Sequence, residues 1–138
     1  MILGKFSQMG TVAEIVGSEP QGTLSAREVS RFLEQLIGLS GVTEKTLAQA
    51  VAMSESQLNR MLSKRTGAVK AQTIQPLKRI AVLVEEARKT LTSAGAKEWL
   101  NTPNPYLDDV APIQHLRSEK ELEKTLDVLA AIRHGFPA

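Results

Sequence analysis

The chain has 138 residues, a length that fits one domain or two small domains sharing a core. Its 42% hydrophobic and 23% charged residues are ordinary for a soluble globular protein, and its net charge of +2 is too small to indicate a partner. The absence of cysteine excludes disulfides and thiolate metal sites. No apolar run reaches the length of a transmembrane helix, and the start lacks the apolar segment of a signal peptide, so we expect a cytoplasmic protein with no membrane contact.

The basic residues are unevenly distributed. No acidic residue lies between Glu55 and Glu85. That stretch, the basic band, instead holds six cations: Arg60, Lys64, Arg65, Lys70, Lys78 and Arg79. A basic band is typical of nucleic-acid-binding proteins, and a solvated basic surface is an equally good interpretation of the charge alone.

The first 24 residues differ from the rest of the chain. Residues 1–24 carry four glycines and one proline and show no sustained hydrophobic period. We predict a flexible N-terminal arm, in which only the stretch TVAEIV can become ordered against a partner.

Helix signals begin at Ser25, which forms a capping box with Glu28. Five apolar residues then follow at the spacing of one helix face: Val29, Phe32, Leu33, Leu36 and Ile37. Gly38 or Gly41 ends this helix. Two shorter helices follow, the first capped by Thr43 and the second by Ser54 with Gln57.

Five further helical pieces are predicted in the second half of the chain. A longer helix runs from Gln75 to Leu91 and a short one from Ala96 to Leu100. Asn104 with Pro105 starts one turn and Pro112 starts another. A last helix begins at a Ser118–Glu121 capping box, carries an apolar stripe and ends at Gly135. No strand signal is present, so the predicted fold is all-α.

Residues 43–62, TEKTLAQAVAMSESQLNRML, have the pattern of a helix-turn-helix. Such a pair needs a small residue where its helices cross, and Ala48 fits that position. Leu47, Val51, Leu58 and Met61 supply the apolar contacts. Ala52 stands where glycine is common, and we expect it to fit only with near-helical backbone angles.

In a helix-turn-helix the second helix enters the major groove of DNA. The predicted DNA-binding residues are polar or basic side chains on or just after that helix: Ser56, Gln57, Asn59, Arg60, Lys64 and Arg65. Gln, Asn and Arg can read base edges, whereas the last two cations suit phosphates. Glu55 at the helix start would repel phosphate, and a helical hairpin with a solvated polar face is the competing interpretation.

No catalytic or metal-binding arrangement is visible. We expect His115 on a helix surface and His134 near a helix C-terminus, where the helix dipole favours a cation. Asp108 and Asp109 are adjacent residues of a turn, which point apart. The chain has no glycine-rich phosphate loop and no nucleophile with an evident base, so we predict neither an enzyme nor a cofactor.

The C-terminal segment AKEWLNTPNPYLDDVAPIQHL, with the ending IRHG, resembles the toxin-binding domain of the Xre/MbcA/ParS family of type II antitoxins. The matching features are Trp99-Leu100, Asn104-Pro105, Leu107, Pro112, Leu116, Ile132, His134 and Gly135. Family members also carry an Xre-like helix-turn-helix upstream, so the resemblance covers roughly residues 25–136. One departure is Asp108-Asp109, where members usually have a Gly pair or similar small residues.

The resemblance implies an Xre-like helix-turn-helix domain with a linking helix at 25–92 and a toxin-binding domain at 93–138. It also implies that the chain neutralises a RES-domain toxin, an enzyme that consumes NAD⁺, and represses the shared operon by binding operator DNA. The protein would then be a homodimer or a higher hetero-oligomer with its toxin. A stand-alone regulator with a C-terminal dimerisation unit is the alternative.

The toxin-facing residues are predicted on the last helix and its ends. They are Arg117, Lys124, Arg133, His134 and Phe136. Phe136 lies beyond the helix, where an exposed apolar side chain suggests a partner or a frayed terminus. Trp99 is predicted to anchor the proline-rich segment in the core, although a lone tryptophan is often an interface residue.

Overall fold

The computed structural model describes residues 15–17 and 22–135. This part of the chain is mainly helical, which confirms the predicted all-α class. Its elements are β1 (Thr23–Ser25), α1 (Ala26–Ser40), α2 (Glu44–Ala50), α3 (Glu55–Ser63), β2 (Ala68–Lys70), α4 (Gln75–Thr90), α5 (Ser93–Asn101) and α6 (Glu119–Arg133). Short 3-10 helices lie at Ala71–Ile74, Pro105–Leu107 and Pro112–Gln114.

A two-stranded ribbon is the element that the sequence did not predict. β1 pairs antiparallel with β2, with Leu24 opposite Val69. The amide of Ala26 extends the pairing by donating to the Gly67 carbonyl at 3.0 Å. Three-residue strands are too short to show a period of two, and the partner lies far along the chain, so no local signal could reveal them.

The ribbon also corrects the predicted boundary of the N-terminal arm. Thr23 and Leu24 belong to β1 rather than to a flexible segment. Ile15 is only 2% exposed and packs in the hydrophobic core, with Val16 against it. The end of TVAEIV is therefore ordered against this chain itself, and residues 1–14 and 18–21 of the predicted arm lie outside the described ones.

Four predicted helix starts are confirmed by hydrogen bonds from backbone amides to capping side chains, whereas α5 begins at Ser93, before the predicted Ala96. Ser25 Oγ accepts from Glu28 N at 3.0 Å, and Ser54 Oγ from Gln57 N at 3.1 Å. Thr43 and Ser118 cap α2 and α6 in the same way. Each cap satisfies an amide that has no partner within its helix and contributes about 1 kcal/mol.

One hydrophobic core runs through both halves of the molecule. Phe32 and Leu36 of α1 lie in the same buried cluster as Leu100, Ile113 and Leu129 from the C-terminal half. α4 is the central helix, since α6, α5 and α1 all pack against it. Within the described residues, no helix has the length and apolar character needed to cross a bilayer.

Candidate functional site

The proline-rich segment forms a closed turn, and residues 102–118 are called the corner below. Asn104 Oδ1 accepts from the Tyr106 amide at 2.9 Å, and Pro105 starts a 3-10 turn as predicted. The Asn104 amide donates to the Val110 carbonyl at 3.1 Å, which closes the loop. Asp108 and Asp109 both have positive φ, at 58° and 60°. Glycine adopts this conformation without strain, whereas other residues adopt it less readily.

Apolar side chains fix the corner to the core. Leu107 is fully buried, and Ile113 and Leu116 are nearly so. Trp99 is half-buried against the core, as predicted, and its Nε1 is buried without a hydrogen-bond partner. Tyr106 is 58% exposed and is the large apolar side chain most open to solvent among the described residues.

His115 is buried, and its predicted place on a helix surface is wrong. Its side chain is 9% exposed, and its Nδ1 lies 3.1 Å from Thr125 Oγ1 and 3.3 Å from the Glu121 carbonyl. The Thr125 hydroxyl donates to the carbonyl of either His115 at 3.0 Å or Glu121 at 2.9 Å, so its oxygen accepts from the ring. Both neighbours of Nδ1 are therefore acceptors, which assigns the proton to Nδ1.

Arg79 of α4 holds the end of the corner. Its Nε donates to the Leu116 carbonyl at 2.9 Å and its Nη2 to the Arg117 carbonyl at 3.2 Å. Nη1 also lies 3.6 Å from Glu119 Oε1. The sequence analysis placed Arg79 only in the basic band. Its carbonyl partners lie far along the chain, so the local pattern could not indicate them.

A second contact joins the C-terminal half to α1. Asn101 Nδ2 donates to the Ser40 carbonyl at 2.8 Å, at the end of α1. Gly41 has φ of 71° and ends that helix in the left-handed conformation. It is one of the two glycines that were predicted as the end of the helix. The corner is thus attached to both halves of the fold.

Four of the five predicted toxin-binding residues are described, and they are spread along α6 and its two ends. Arg117 and Lys124 are exposed, and His134 is exposed at the C-terminal end of α6, as expected. Arg133 donates from Nη2 to Thr90 Oγ1 at 2.7 Å and lies 3.3 Å from Glu86 Oε2. Phe136 lies outside the described residues. Since α6 has 15 residues, its two ends are ~22 Å apart.

Glu85, beside that ion pair on α4, is a carboxyl without a hydrogen-bond partner. Its Oε1 is buried, and burial is the main cause that raises the pKa of this carboxyl. Lys89 acts in the opposite direction on the pKa, and Glu86 adds to the increase.

The helix pair α2–α3 has the predicted core. Leu47 and Ala48 of α2 and Leu58 and Met61 of α3 are buried. The expectation for Ala52 is wrong, since its φ is 54° rather than helical.

The hydrogen bonds explain this conformation. Met53 N donates to the Ala48 carbonyl at 2.9 Å and Ala52 N to the Gln49 carbonyl at 3.2 Å. These are the paired bonds of a Schellman motif, whose C′ residue is left-handed.

The predicted DNA-binding residues lie on or just after α3, and they differ in exposure and in hydrogen bonding. Ser56, Arg60 and Lys64 are exposed, and Gln57 is half-buried. Asn59 donates to Glu44 Oε1 at 3.3 Å. The basic band does not form one surface, since Lys78 is buried and Arg79 holds the corner.

Arg65 is held by its own chain. Its Nη1 donates to Ser30 Oγ and to the Leu62 carbonyl, the latter at 3.0 Å. Its Nη2 lies 3.5 Å from Glu34 Oε1.

A shallow pocket of about 430 Å³ lies at the N-terminal half of α3. It is lined by Glu44, Glu55, Ser56, Asn59 and Arg60. Two carboxylates face one guanidinium there, so this end of α3 is unfavourable for phosphate. Across the described residues, no group of three His, Asp or Glu side chains is placed to hold a metal ion.

Comparison with known proteins finds a similarity to an antitoxin family in the C-terminal third of the chain. Residues 89–135 match the family model of the Antitoxin Xre/MbcA/ParS C-terminal toxin-binding domain. A chain of the crystal structure of the M. tuberculosis MbcT–MbcA toxin–antitoxin complex superposes with a TM-score of 0.61 at 19% identity, covering 79% of this chain and 96% of that chain. No curated protein matches in sequence. Residues 89–135 are therefore similar to the toxin-binding domain of the Xre/MbcA/ParS antitoxins, and the superposition shows a shared fold.

Proposed function

We propose that this antitoxin binds a RES-domain toxin, blocks the active site that consumes NAD⁺, and represses its own operon by binding operator DNA. The observation that carries the first part is the match of residues 89–135 to a toxin-binding domain, together with the corner that this domain contains.

A preformed surface supports the toxin-binding role. The backbone of the corner is closed by its own hydrogen bonds and fixed to α4 by Arg79. A surface that is ordered before binding avoids part of the entropy cost of association. Arg117, Lys124 and His134 are exposed along α6 and its two ends and remain our predicted toxin contacts, with Arg133 oriented by Glu86 and Thr90. Phe136 stays a prediction from the sequence.

The helix pair α2–α3 supports the operator-binding role. The small residue Ala48 of α2 is buried and the polar side of α3 is exposed, as a helix-turn-helix requires. We assign base contacts to Gln57, Asn59 and Arg60. The protein would act on DNA as a homodimer, or as a higher oligomer with its toxin, since operators commonly contain two half-sites.

Co-expression with the product of the adjacent gene tests the toxin-binding role. We expect that gene to encode a RES-domain protein, the two proteins to co-purify at fixed stoichiometry, and the toxin's NAD⁺ consumption to stop in the complex. A neighbourhood without such a gene, or a toxin that stays fully active in the complex, would show the proposal to be wrong.

A stand-alone transcriptional regulator is the second candidate, and the exposed polar side of α3 favours it. In that case the chain binds its upstream DNA but co-purifies with no toxin, and the C-terminal unit serves dimerisation. A gel-shift assay separates specific binding from general attraction to DNA. Arg60→Ala and Asn59→Ala should each remove sequence preference while leaving weak binding to any duplex.

A further inference from the structure

A second cleft lies beside the C-terminal end of α3 and shares no lining residue with the pocket described above. It has a volume of about 480 Å³ and separates α1 from the loop that follows α3. Its lining residues are Arg27, Ser30, Arg31, Glu34, Arg65 and Thr66, and it is called the arginine cleft below. The sequence analysis selected only Arg65 from this set, because residues on α1 lie outside the helix-turn-helix pattern.

The charges in the arginine cleft do not cancel. Three guanidinium groups face the single carboxylate of Glu34, which lies 3.5 Å from Arg65. Arg27 and Arg31 are exposed, one helical turn apart on the same side of α1. Neither makes an ion pair within residues 15–17 and 22–135. The cleft therefore carries two cations that the described chain does not neutralise.

Arg65 is already oriented, unlike those two arginines. It donates to Ser30 Oγ and to the Leu62 carbonyl, and the Ser30 hydroxyl is itself buried and donates to the same carbonyl. These bonds fix the base of the cleft, so an incoming anion need not order that side chain. Thr66 is exposed beside it and can donate a hydroxyl hydrogen.

The two ends of α3 thus have opposite local charge. The N-terminal pocket holds Glu44 and Glu55 against Arg60, whereas the arginine cleft holds three arginines against one glutamate. Planar guanidinium forks match the paired oxygens of a phosphate. Phosphate is therefore repelled at one end of α3 and attracted beside the other.

We propose that the arginine cleft binds the DNA backbone, with Arg27 and Arg31 contacting phosphate oxygens and Arg65 completing the base of the site. The proposal rests on the DNA-binding part of the proposed function and adds α1 to the DNA interface. DNA rather than free phosphate is favoured because the cleft adjoins α3, the predicted reading helix, and exposed Lys64 extends its positive charge. Such contacts position the protein without reading sequence.

The salt dependence of DNA affinity tests this site. Arg27→Gln/Arg31→Gln is compared with wild type on the operator and on a scrambled duplex of equal length, by fluorescence anisotropy over a range of salt concentrations. We expect the double variant to lose about tenfold in affinity on both duplexes and the slope against log salt to fall by about one per lost phosphate contact. Arg31→Gln alone should show part of this loss. Lys120→Gln, which removes one exposed cation from α6, should show none.

Three other outcomes would each contradict the proposed phosphate contacts. An unchanged slope and affinity in the double variant, with its thermal unfolding as in wild type, would remove Arg27 and Arg31 from the DNA interface. A loss confined to the operator would make the contacts sequence-reading instead. If wild type binds no duplex, this proposal and the operator-binding role both fail, while inhibition of the toxin's NAD⁺ consumption still decides the antitoxin role separately.

A nuclear magnetic resonance titration with pyrophosphate separates the two sources of phosphate. If DNA is the ligand, pyrophosphate should shift the Thr66 amide only weakly and be displaced by duplex. Tight pyrophosphate binding that duplex does not displace would identify a free phosphate compound as the ligand and overturn the proposal.

Discussion

The corner and the helix pair use their polar groups in opposite ways. In the corner, the hydrogen bonds of Asn104 and His115 are made within the chain, the latter with Thr125 of α6. On α3, by contrast, Ser56 and Arg60 extend into solvent. A region whose polar groups are already bonded contributes a fixed shape, whereas a region with free donors can recognise hydrogen-bond acceptors. We therefore assign a positioning role to the corner and a contact role to the helix pair.

Leu107→Ala should give the largest loss of stability, because it removes an apolar side chain that fixes the corner to the core. Leu107 is fully buried beneath the turn, so the substitution leaves a cavity. We expect the free energy of unfolding to fall by about 3 kcal/mol. Urea denaturation measures it, and Leu126→Ala, at a half-buried position of α6, should cost clearly less. Equal losses at the two positions would show that the corner is not anchored by this side chain.

Thr125→Val removes the polar contact between α6 and the corner while keeping the volume of the side chain. The substitution removes the hydroxyl that bonds the His115 and Glu121 carbonyls and leaves His115 Nδ1 without its nearer acceptor. We expect a loss of about 2 kcal/mol in urea denaturation. Thr66→Val, at an exposed position, should change stability by less than about 0.5 kcal/mol. A neutral Thr125→Val would mean that the network does not stabilise the fold.

Ala52→Gly tests the turn of the helix pair. Ala52 has φ of 54° at the C′ position of a Schellman motif, where a Cβ is unfavourable. Despite the greater chain entropy of glycine in the unfolded state, we expect a gain of roughly 0.5–1 kcal/mol, measured by thermal unfolding. A loss would show that the turn in solution keeps near-helical angles, as the sequence alone suggested.

Asp109→Gly applies the same change to the corner and should have the smallest effect. Asp109 has nearly the same φ as Ala52, at 60°. Aspartate adopts the left-handed region more readily than alanine, so the expected gain is only about 0.3 kcal/mol. A gain larger than that of Ala52→Gly in the same thermal assay would show that strain is concentrated in the corner instead.

Features set by neighbouring residues were predictable from the sequence. The caps at Ser25, Thr43, Ser54 and Ser118 each depend on an amide three residues away, and all four were found from spacing. The turn at Asn104-Pro105 is equally local. Apolar spacing likewise identified Val29, Phe32, Leu33 and Leu36 as buried residues of α1, because a helix repeats its buried side every turn.

Features that depend on distant partners were not predictable. The partner of β1 is β2, which follows α1, α2 and α3 along the chain. His115 becomes buried because α6 brings Thr125 over it, and Arg79 meets carbonyls of the corner. The arginine cleft is similar, since Arg27 and Arg31 approach Arg65 only through the packing of α1 on α3. None of these pairings leaves a period or a spacing in the sequence.

The most direct test of the antitoxin role is a titration of the RES-domain toxin's NAD⁺ consumption with this chain, beside a variant that lacks residues 102–105. We predict that wild type abolishes consumption at a fixed stoichiometric ratio. The variant should retain its helical circular dichroism, keep its affinity for operator DNA and fail to inhibit. Continued NAD⁺ consumption at a large excess of wild type would contradict the antitoxin role, and full inhibition by the variant would contradict the role of the corner.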